Sequence, residues 1–255
     1  MNHRTFTALA LTALLTSALA APAGAVKNVV LVHGAYADGS GWAGVYRLLT
    51  QDGYTVTVVQ NPLTSLEDDV AAVDRALARQ DGPVILVGHS YGGAVITQAG
   101  TDAKVMGLVY VAAFQPDLGE SALKWATSEP PAPQNGILPP DAAGFSYYDP
   151  AKFRAGFAAD VNAELSAFMA ASQLPVSVKA LGAPVTQAAW RTKPSWGIVP
   201  GLDKSINPSI EQAMYARSGT QVTLVPEASH AVYISQPAAV VQVIETAAQS
   251  VAAGH

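Results

Sequence analysis

The sequence predicts an α/β fold, in which a mostly parallel six-stranded sheet has helices on both faces and a helical cap insertion. Two observations predict it. Short, continuous runs of apolar and β-branched residues alternate with stretches of helical patterning, and this alternation stops between about residues 116 and 194 before it resumes. Strands that are apolar on both faces need helices on both sides of a parallel sheet to shield them from water.

Four strands and three helices are predicted in the first half of the chain. Ser65 precedes three acidic residues, a pattern typical of a helix N-terminus, where a serine caps free backbone N–H groups. Asp-Gly pairs end the helices before the second and third strands. The predicted strands cover residues 29–32, 54–59, 84–87 and 105–111, and the predicted helices cover residues 42–50, 65–80 and 92–100.

The stretch from about residue 116 to 194 is rich in Pro, Ala and aromatic residues, and we interpret it as an insertion over the sheet. Helices are expected in it, but no strand. After it the alternation resumes, and Asn207 followed by Pro208 indicates another helix N-terminus. The insertion helices are predicted at residues 150–159 and 163–172, the later strands at 195–199 and 222–225, and the later helices at 207–218 and 237–252.

Residues 1–25 have the layout of a secretory signal peptide. A short polar start precedes an apolar run over residues 5–20, and Ala-x-Ala patterns follow. The run is shorter than the ~20 residues needed to span a bilayer. We therefore expect cleavage after Ala20 or Ala25 and one mature domain over residues 26–255. The protein is expected to be secreted or periplasmic, without stable membrane association.

The composition argues against several classes of function. Of 255 residues, 50% are hydrophobic and 13% are charged, as in an ordered globular domain. The net charge of −5 and the lack of a basic run argue against a nucleic-acid partner. Because the chain has no cysteine, it can form no disulfide and has no cysteine nucleophile. No histidine pair has metal-site spacing, so no metal site is expected.

Residues 88–92 read Gly-His-Ser-Tyr-Gly, which matches the pattern G-x-S-x-G between a predicted buried strand and a predicted helix. In that context the chain turns sharply, and the small residues at the two ends of the motif let the turn close. The hydroxyl of Ser90 then stands at the C-terminal edge of the sheet, in front of a helix N-terminus. Ser90 is therefore predicted to be a nucleophile.

A serine hydroxyl needs a base to remove its proton, and His230 is the predicted base. Of the five histidines, His3 lies in the signal segment and His255 at the C-terminus, while His89 lies inside the turn and His33 in the loop after the first strand. His230 follows the last predicted strand. Such a loop lies at the C-terminal edge of the sheet, where an α/β sheet places its site.

The base in turn needs an orienting carboxylate, and Asp203 is the predicted acid. It follows the strand at residues 195–199, so it lies at the same edge of the sheet. The order Ser90, Asp203, His230 along the chain fits a Ser-Asp-His triad on such a sheet. Glu227, three residues from His230, and Asp117, after the preceding strand, remain alternatives.

Two backbone N–H groups are predicted to form an oxyanion hole, which stabilises the negative charge that develops on the attacked carbonyl oxygen. The first is the N–H of Tyr91, the residue after the nucleophile. The second is expected from the loop after the first strand, and we assign it to Ala35.

Four segments of the sequence together resemble the α/β-hydrolase superfamily, and more narrowly its small methylesterase and hydroxynitrile-lyase-like branch. They are Leu-Val-His-Gly-Ala at residues 31–35, Gly-His-Ser-Tyr-Gly-Gly at 88–93, Asp-Lys at 203–204 and Ser-His at 229–230. The resemblance implies a cap over the site from about residue 117 to 190. It also implies hydrolysis of small carboxylic esters without a cofactor, through an acyl-enzyme on Ser90. On this resemblance, the two edge strands that precede the first strand in larger members are expected to be absent.

Two further readings remain open. Lyase members carry a threonine and a lysine at the positions of Gly34 and Ala231, so this chain lacks the cation that stabilises a leaving cyanide, although perhydrolase activity on the same triad is compatible with the sequence. A slow hydrolase that acts as a small-molecule binding protein would share the triad.

The insertion is rich in aromatic residues, most of which we expect to pack the cap onto the sheet, while a few line a pocket for small apolar or aromatic esters with short acyl chains. The candidates are Trp125, Phe145, Tyr147, Tyr148, Phe153, Phe157, Phe168, Met169 and Trp190.

Overall fold

The computed structural model describes residues 26–253, so the predicted signal peptide lies outside the described residues. The strands are β1 (Asn28–Val32), β2 (Thr55–Val59), β3 (Val84–His89), β4 (Val105–Val111), β5 (Phe145–Ser146), β6 (Val176–Ser177), β7 (Ser195–Pro200) and β8 (Gln221–Val225). The helices are α1 (Ala43–Gln51), α2 (Leu66–Ala78), α3 (Gly92–Ala99), α4 (Ala122–Ala126), α5 (Pro150–Gly156), α6 (Ala163–Ser172), α7 (Val178–Gly182), α8 (Pro208–Ser218), α9 (Val232–Ser235) and α10 (Pro237–Ala253), with 3₁₀ turns at Gly39–Trp42 and Ala189–Arg191.

Six strands form one parallel sheet in the order β2-β1-β3-β4-β7-β8, which confirms the predicted architecture. The chain moves outward from β1 to β2 and then returns to the other side of β1 with β3. Loops that leave β1 and β3 therefore diverge at the C-terminal edge of the sheet, and the crevice between them is where α/β sheets bind ligands.

The core consists of two apolar clusters, one on each face of the sheet. In β1, Val30 and Val32 belong to one cluster, whereas Val29 and Leu31 belong to the other. Helices α2, α3 and α8 cover the first face, and α1 and α10 cover the second. Because both faces are covered, the strand is apolar at every position, and this is why its sequence shows a continuous run instead of an alternation.

Helices α2 and α8 begin where the sequence predicts, but only one of the two predicted capping residues makes a capping hydrogen bond. The side chain of Ser65 accepts a hydrogen bond from the Asp68 N–H and caps α2, as its sequence pattern indicates. Asn207 does precede the Pro208 that begins α8, but its side chain makes no capping bond. Instead its amide donates to Glu129 at 3.1 Å and to the Pro130 carbonyl at 3.0 Å, both of which belong to the insertion.

The segment between β4 and β7 contains the two predicted helices, α5 and α6, and also the short helices α4 and α7. The expectation that it has no strand is wrong, because β5 and β6 pair antiparallel. Each has two residues. A period-two pattern cannot be recognised over so short a length.

No helix among residues 26–253 has the length and apolar character needed to cross a membrane.

Candidate active site

Ser90 lies in a strained turn between β3 and α3. Its φ of 53° is in the left-handed region, which residues other than glycine rarely adopt. The turn is fixed by main-chain hydrogen bonds: the Ser90 N–H donates to Val111 at 3.2 Å, and Phe114 donates to the Ser90 carbonyl at 3.1 Å. A Cβ at Gly93 would collide with the Phe114 carbonyl. The predicted nucleophile therefore stands on a turn that its glycines make possible.

His230 and Asp203 are in direct contact. The Nδ1 of His230 lies 2.6 Å from the Oδ2 of Asp203, and both side chains are buried. The other carboxylate oxygen accepts the N–H groups of Ser205 at 2.8 Å and Ile206 at 2.9 Å. Three donors therefore surround this carboxylate. Since the carboxylate accepts from Nδ1–H, the Nε2 of His230 carries the lone pair that a general base needs.

The other two candidate acids lie elsewhere. Asp117 accepts two hydrogen bonds of 2.7 Å from the Arg191 guanidinium, which holds the pKa of this carboxyl below its ordinary value. Glu227 is exposed. Of the three carboxylates, the structure brings only Asp203 to the His230 ring among the residues described.

The turn that carries Ser90 and the loop that carries His230 are joined directly. The Nε2 of His89 donates to the His230 carbonyl at 3.1 Å, and the two imidazole rings lie 4.7 Å apart. Gly34 presses against the other side of the turn, where a Cβ would come within 2.6 Å of the Ser90 Cβ. Gly34 and Ser90 are therefore in contact, and the His230 loop reaches the same turn through His89. Among residues 26–253, no hydrogen bond joins the Ser90 hydroxyl to the His230 ring.

His33 and His89 have structural roles in this arrangement. The Nδ1 of His33 donates to Gly34 at 2.9 Å and its Nε2 accepts from the Asn61 N–H at 3.2 Å, a pattern that requires a neutral ring. Burial lowers the pKa of His33 and of His89 below the ordinary value for histidine. Neither ring is suited to remove a proton from Ser90, in line with the choice of His230.

The N–H groups of Ala35 and Tyr91 donate to no acceptor within the described residues 26–253. Both residues are almost fully buried, with exposed fractions of 4% and 1%. Because most backbone N–H groups of folded chains are paired within the protein, these two remain free to donate to another group. This is the arrangement expected of an oxyanion hole.

The side chain of Tyr91 is hydrogen-bonded to a buried aspartate. Asp69 accepts the Tyr91 hydroxyl at 2.8 Å and the Leu63 N–H at 2.7 Å. Burial raises the pKa of Asp69 to about 6 and also raises that of Tyr91. Tyr91, the residue after the predicted nucleophile, is thus anchored through its side chain to the first turn of α2.

The loop of His230 is tied to the cap through Phe157. The Phe157 carbonyl accepts from the Ala231 N–H at 3.0 Å and from the Ser229 hydroxyl at 3.3 Å, and Ser229 also donates to Asp160. The Phe157 ring meets the His230 ring edge-on, with centroids 4.8 Å apart. With Tyr148 and Phe153, Phe157 forms a buried aromatic cluster. These three aromatic residues pack the cap, as expected of most of the set.

A cavity of about 280 Å³ opens between the loop after β1, helix α6 and helix α9. Its lining is largely apolar and includes Tyr36, Phe168, Met169, Tyr233 and Ile234, with Asp38 as its charged residue. Tyr36 follows the proposed oxyanion residue, and Ile234 follows the His230 loop. The cavity is thus lined by chain neighbours of the predicted site residues, whereas Ser90, Asp203 and His230 themselves do not line it.

Two of the candidate pocket residues, Phe168 and Met169, line this cavity. Trp125 and Trp190 do not, because each stacks on the Arg217 guanidinium at 5.1 Å and 5.5 Å. Tyr36 and Tyr233 are lining residues that the sequence did not single out, since both lie outside the insertion.

Glu211 is a further residue that the sequence did not identify. It lies in the first turn of α8, is fully buried and faces Asp203. Burial, and next the negative charge of Asp203, raise its pKa well above the ordinary value for glutamate. An acid in the first turn of a helix is usually an exposed partner of the helix dipole, so no local pattern indicated that Glu211 is buried.

In residues 26–253, no group of three or more His, Asp or Glu side chains could hold a metal ion.

Comparison with known proteins identifies relatives over nearly the whole chain. A model of the Alpha/beta hydrolase family matches residues 29–243. An alpha/beta hydrolase, nvfD, from Aspergillus novofumigatus is 24% identical over 86% of this chain and 96% of its own length. A carbendazim hydrolyzing esterase from a Nocardioides species is 32% identical, over 38% of this chain and 46% of its own length.

Solved structures share the fold. A pyrethroid hydrolase from Sphingobium faniae superimposes with a TM-score of 0.75 at 24% identity and covers 88% of this chain and 98% of its own. The methylesterase MES16 from Arabidopsis superimposes with a TM-score of 0.71 at 19% identity, over 88% of this chain and 100% of its own.

Proposed function

This chain is an enzyme that belongs to the alpha/beta hydrolase family, and from that premise we propose that it is a methylesterase-like member, which hydrolyses small carboxylic esters through an acyl-enzyme on Ser90. One observation carries the proposal. The buried hydrogen bond between His230 and Asp203 leaves the outer imidazole nitrogen unprotonated, and it does so on the loop that His89 ties to the turn of Ser90.

In the first step the Ser90 hydroxyl attacks the ester carbonyl while the Nε2 of His230 takes its proton. The imidazolium that results is stabilised by the Asp203 carboxylate, which stays ionised and keeps the ring in the required orientation. A buried ion pair of this kind is worth more than one in water, because little solvent screens it.

The tetrahedral intermediate places a negative charge on the former carbonyl oxygen. The unpaired N–H groups of Ala35 and Tyr91 are the donors for it, and the loss of one such donor costs about 3 kcal/mol of transition-state stabilisation. The intermediate then expels the alcohol, which takes the proton from His230. Water attacks the acyl-enzyme with the same base, and the acid leaves.

Small, apolar substrates are favoured by the cavity between α6 and α9. Its volume of about 280 Å³ is near the lower end for ligand pockets. Phe168 and Met169 offer an apolar surface to an acyl or alcohol group. We expect short-chain aryl and alkyl esters to react faster than long-chain glycerides.

The same site is poorly suited to release of cyanide. Position 231 holds a fully buried alanine whose N–H donates to Phe157, so no side-chain cation faces the site from there. Gly34 has no room for a larger residue, since its Cβ would meet Ser90. Hydrolysis is therefore favoured over lyase chemistry.

Export of the protein is the remaining part of the proposal, and it rests on the signal-peptide pattern of residues 1–25. N-terminal sequencing of the protein secreted by a bacterial host is expected to start at Ala21 or Val26. A protein retained in the cytosol with Met1 or Asn2 as its first residue would contradict export without affecting the catalytic proposal.

The central test is covalent labelling combined with an ester panel. A fluorophosphonate is expected to label the wild-type protein on Ser90, and p-nitrophenyl acetate and butyrate are expected to be hydrolysed. Ser90→Ala should lose both reactions while its unfolding transition is retained. Labelling without measurable turnover of any ester would favour a slow hydrolase that acts as a binding protein. No labelling at Ser90 would overturn the proposal.

A further inference from the structure

Glu211 is a buried residue that interacts with the candidate site only through Asp203. Its side chain has no exposed surface, and neither carboxyl oxygen has a conventional donor within hydrogen-bonding distance among residues 26–253. No cation of the described chain lies within ion-pair distance of it. Its carboxyl group does lie within hydrogen-bonding range of the Asp203 carboxyl group. Such a pair is bonded only if one of the two acids carries a proton.

The surroundings of the two carboxyl groups decide which one is protonated. Asp203 accepts from His230, Ser205 and Ile206, so its environment stabilises a negative charge. Burial and the negative charge of Asp203 both oppose the ionisation of Glu211. Only the positive end of the α8 dipole favours it. The helix dipole is a weak effect compared with removal of a carboxylate from water. The proton therefore belongs on Glu211.

We propose that Glu211 is a positioning residue for the reaction at Ser90: as a neutral acid it donates a hydrogen bond to the Asp203 carboxylate and holds that carboxylate against His230. The inference rests on the proposed function, since it assigns a role within the same triad. Glu211 itself does not touch the substrate or the reacting atoms.

This role is needed because the backbone N–H groups that bind Asp203 restrain it from one loop only. The N–H groups of Ser205 and Ile206 both bind Oδ1 and come from adjacent residues of one loop. A donor on α8 adds a restraint from a second element. It also disperses part of the negative charge, which weakens the attraction between Asp203 and the imidazolium of His230. Tyr215, one turn further along α8, is the other titratable group beside Glu211, and its hydroxyl is bound to the Ala113 main chain.

The test compares two substitutions of similar size. Glu211→Gln keeps a donor toward Asp203, whereas Glu211→Met removes it. We expect Glu211→Gln to keep kcat within about threefold and to leave the acidic limb of the profile of kcat/KM against pH in place. Glu211→Met should lower kcat roughly 10- to 100-fold with little change in KM, because Asp203 loses a restraint on its orientation. It should also move the acidic limb to higher pH, because the charge of Asp203 is no longer dispersed by a hydrogen bond from Glu211 and attracts the imidazolium more strongly.

Ile244→Ala serves as the matched control for stability. Ile244 is buried in α10 within the other core cluster and does not contact the triad. It is expected to lower the unfolding midpoint without moving the acidic limb. If Glu211→Met behaves like Ile244→Ala, Glu211 has a structural role only and the proposal is wrong.

Two further outcomes would overturn the proposal. If Glu211 is ionised, Glu211→Gln removes a negative charge near His230 and moves the acidic limb to lower pH. An infrared difference spectrum of wild type minus Glu211→Gln at pH 8 should contain the carbonyl band of a protonated acid, and its absence excludes a neutral Glu211 even if Glu211→Met does not fold. Failure of the proposed function is distinct, because it appears as an unlabelled Ser90 in the wild type.

Discussion

The rim of the sheet and the cap are built in different ways. The rim comprises the loops after β1, β3, β7 and β8. Main-chain hydrogen bonds, closely packed glycines and buried carboxylates hold the side chains of these loops in place. The cap, between β4 and β7, is attached through a buried aromatic cluster, yet it leaves large apolar side chains exposed, such as Phe168 at 61%. The proposed reactive groups thus lie in the closely packed region, and the proposed substrate surface lies on the cap, where large apolar side chains stay exposed.

The largest difference between the two regions is expected from a pair of aspartates. Asp203→Asn on the rim should lower kcat about 10⁴-fold, because the imidazole loses its orientation and its charge partner. Asp117→Asn at the start of the cap breaks a solvent-exposed ion pair and should leave kcat within about twofold. Steady-state kinetics on p-nitrophenyl butyrate measure both. Equal activities of the two variants would mean that the acid of the triad is not Asp203.

A pair of glycines tests the same contrast in stability. Gly93→Ala should lower the free energy of unfolding by about 3 kcal/mol, because its Cβ meets the rigid Phe114 carbonyl. Gly182→Ala in α7 of the cap meets nothing closer than 3.8 Å and should be neutral or stabilising by about 0.5 kcal/mol. Urea unfolding measures both values. A loss below about 1 kcal/mol for Gly93→Ala would show that the turn is less tightly packed than described.

The burial of Asp69, which raises the pKa of its carboxyl, predicts a pH-dependent stability of the rim. The pKa of Asp69 is about 6 in the folded protein, above its ordinary value of 3.8. The folded state therefore binds this proton more tightly, so the contribution is fully present below about pH 4 and is lost as the pH rises through 6. The loss amounts to up to about 3 kcal/mol.

Asp69→Asn should remove this contribution. The difference in unfolding free energy between wild type and Asp69→Asn, measured in urea from pH 4 to 7, is expected to shift against the wild type as the pH rises. A difference that stays constant over this range would contradict a raised pKa for Asp69.

The smallest effect is expected at the cap surface. Phe168→Ala should raise KM for phenyl and p-nitrophenyl esters about three- to tenfold and leave kcat nearly unchanged, because it removes apolar contact and not a reacting group. Tyr147→Ala is the control, since Tyr147 is also exposed on the cap but does not line the cavity. A fall in kcat with KM unchanged would assign Phe168 to the rim's chemistry instead.

Much of the rim could be predicted from local sequence. The G-x-S-x-G motif after a β-branched run leads to Ser90 because glycines are required where the backbone turns so sharply. Asp203 follows from chain order, and its contact with His230 agrees with it. The cap could be predicted less well: β5 and β6 are too short to show a pattern, and Asn207 donates to residues of the cap that no local pattern reveals.

The sequence by itself determined the alternation of strands and helices, the parallel sheet and the residues at its C-terminal edge, because each depends on hydrophobic periodicity or on backbone requirements within a few neighbouring residues. Only the tertiary structure decided that Asp203, not Glu227 or Asp117, meets His230, that Tyr36 and Phe168 share a cavity, and that Glu211 is buried against the triad. Those facts depend on distances and desolvation between distant segments, and the charge of a carboxyl group is set by what surrounds it in space.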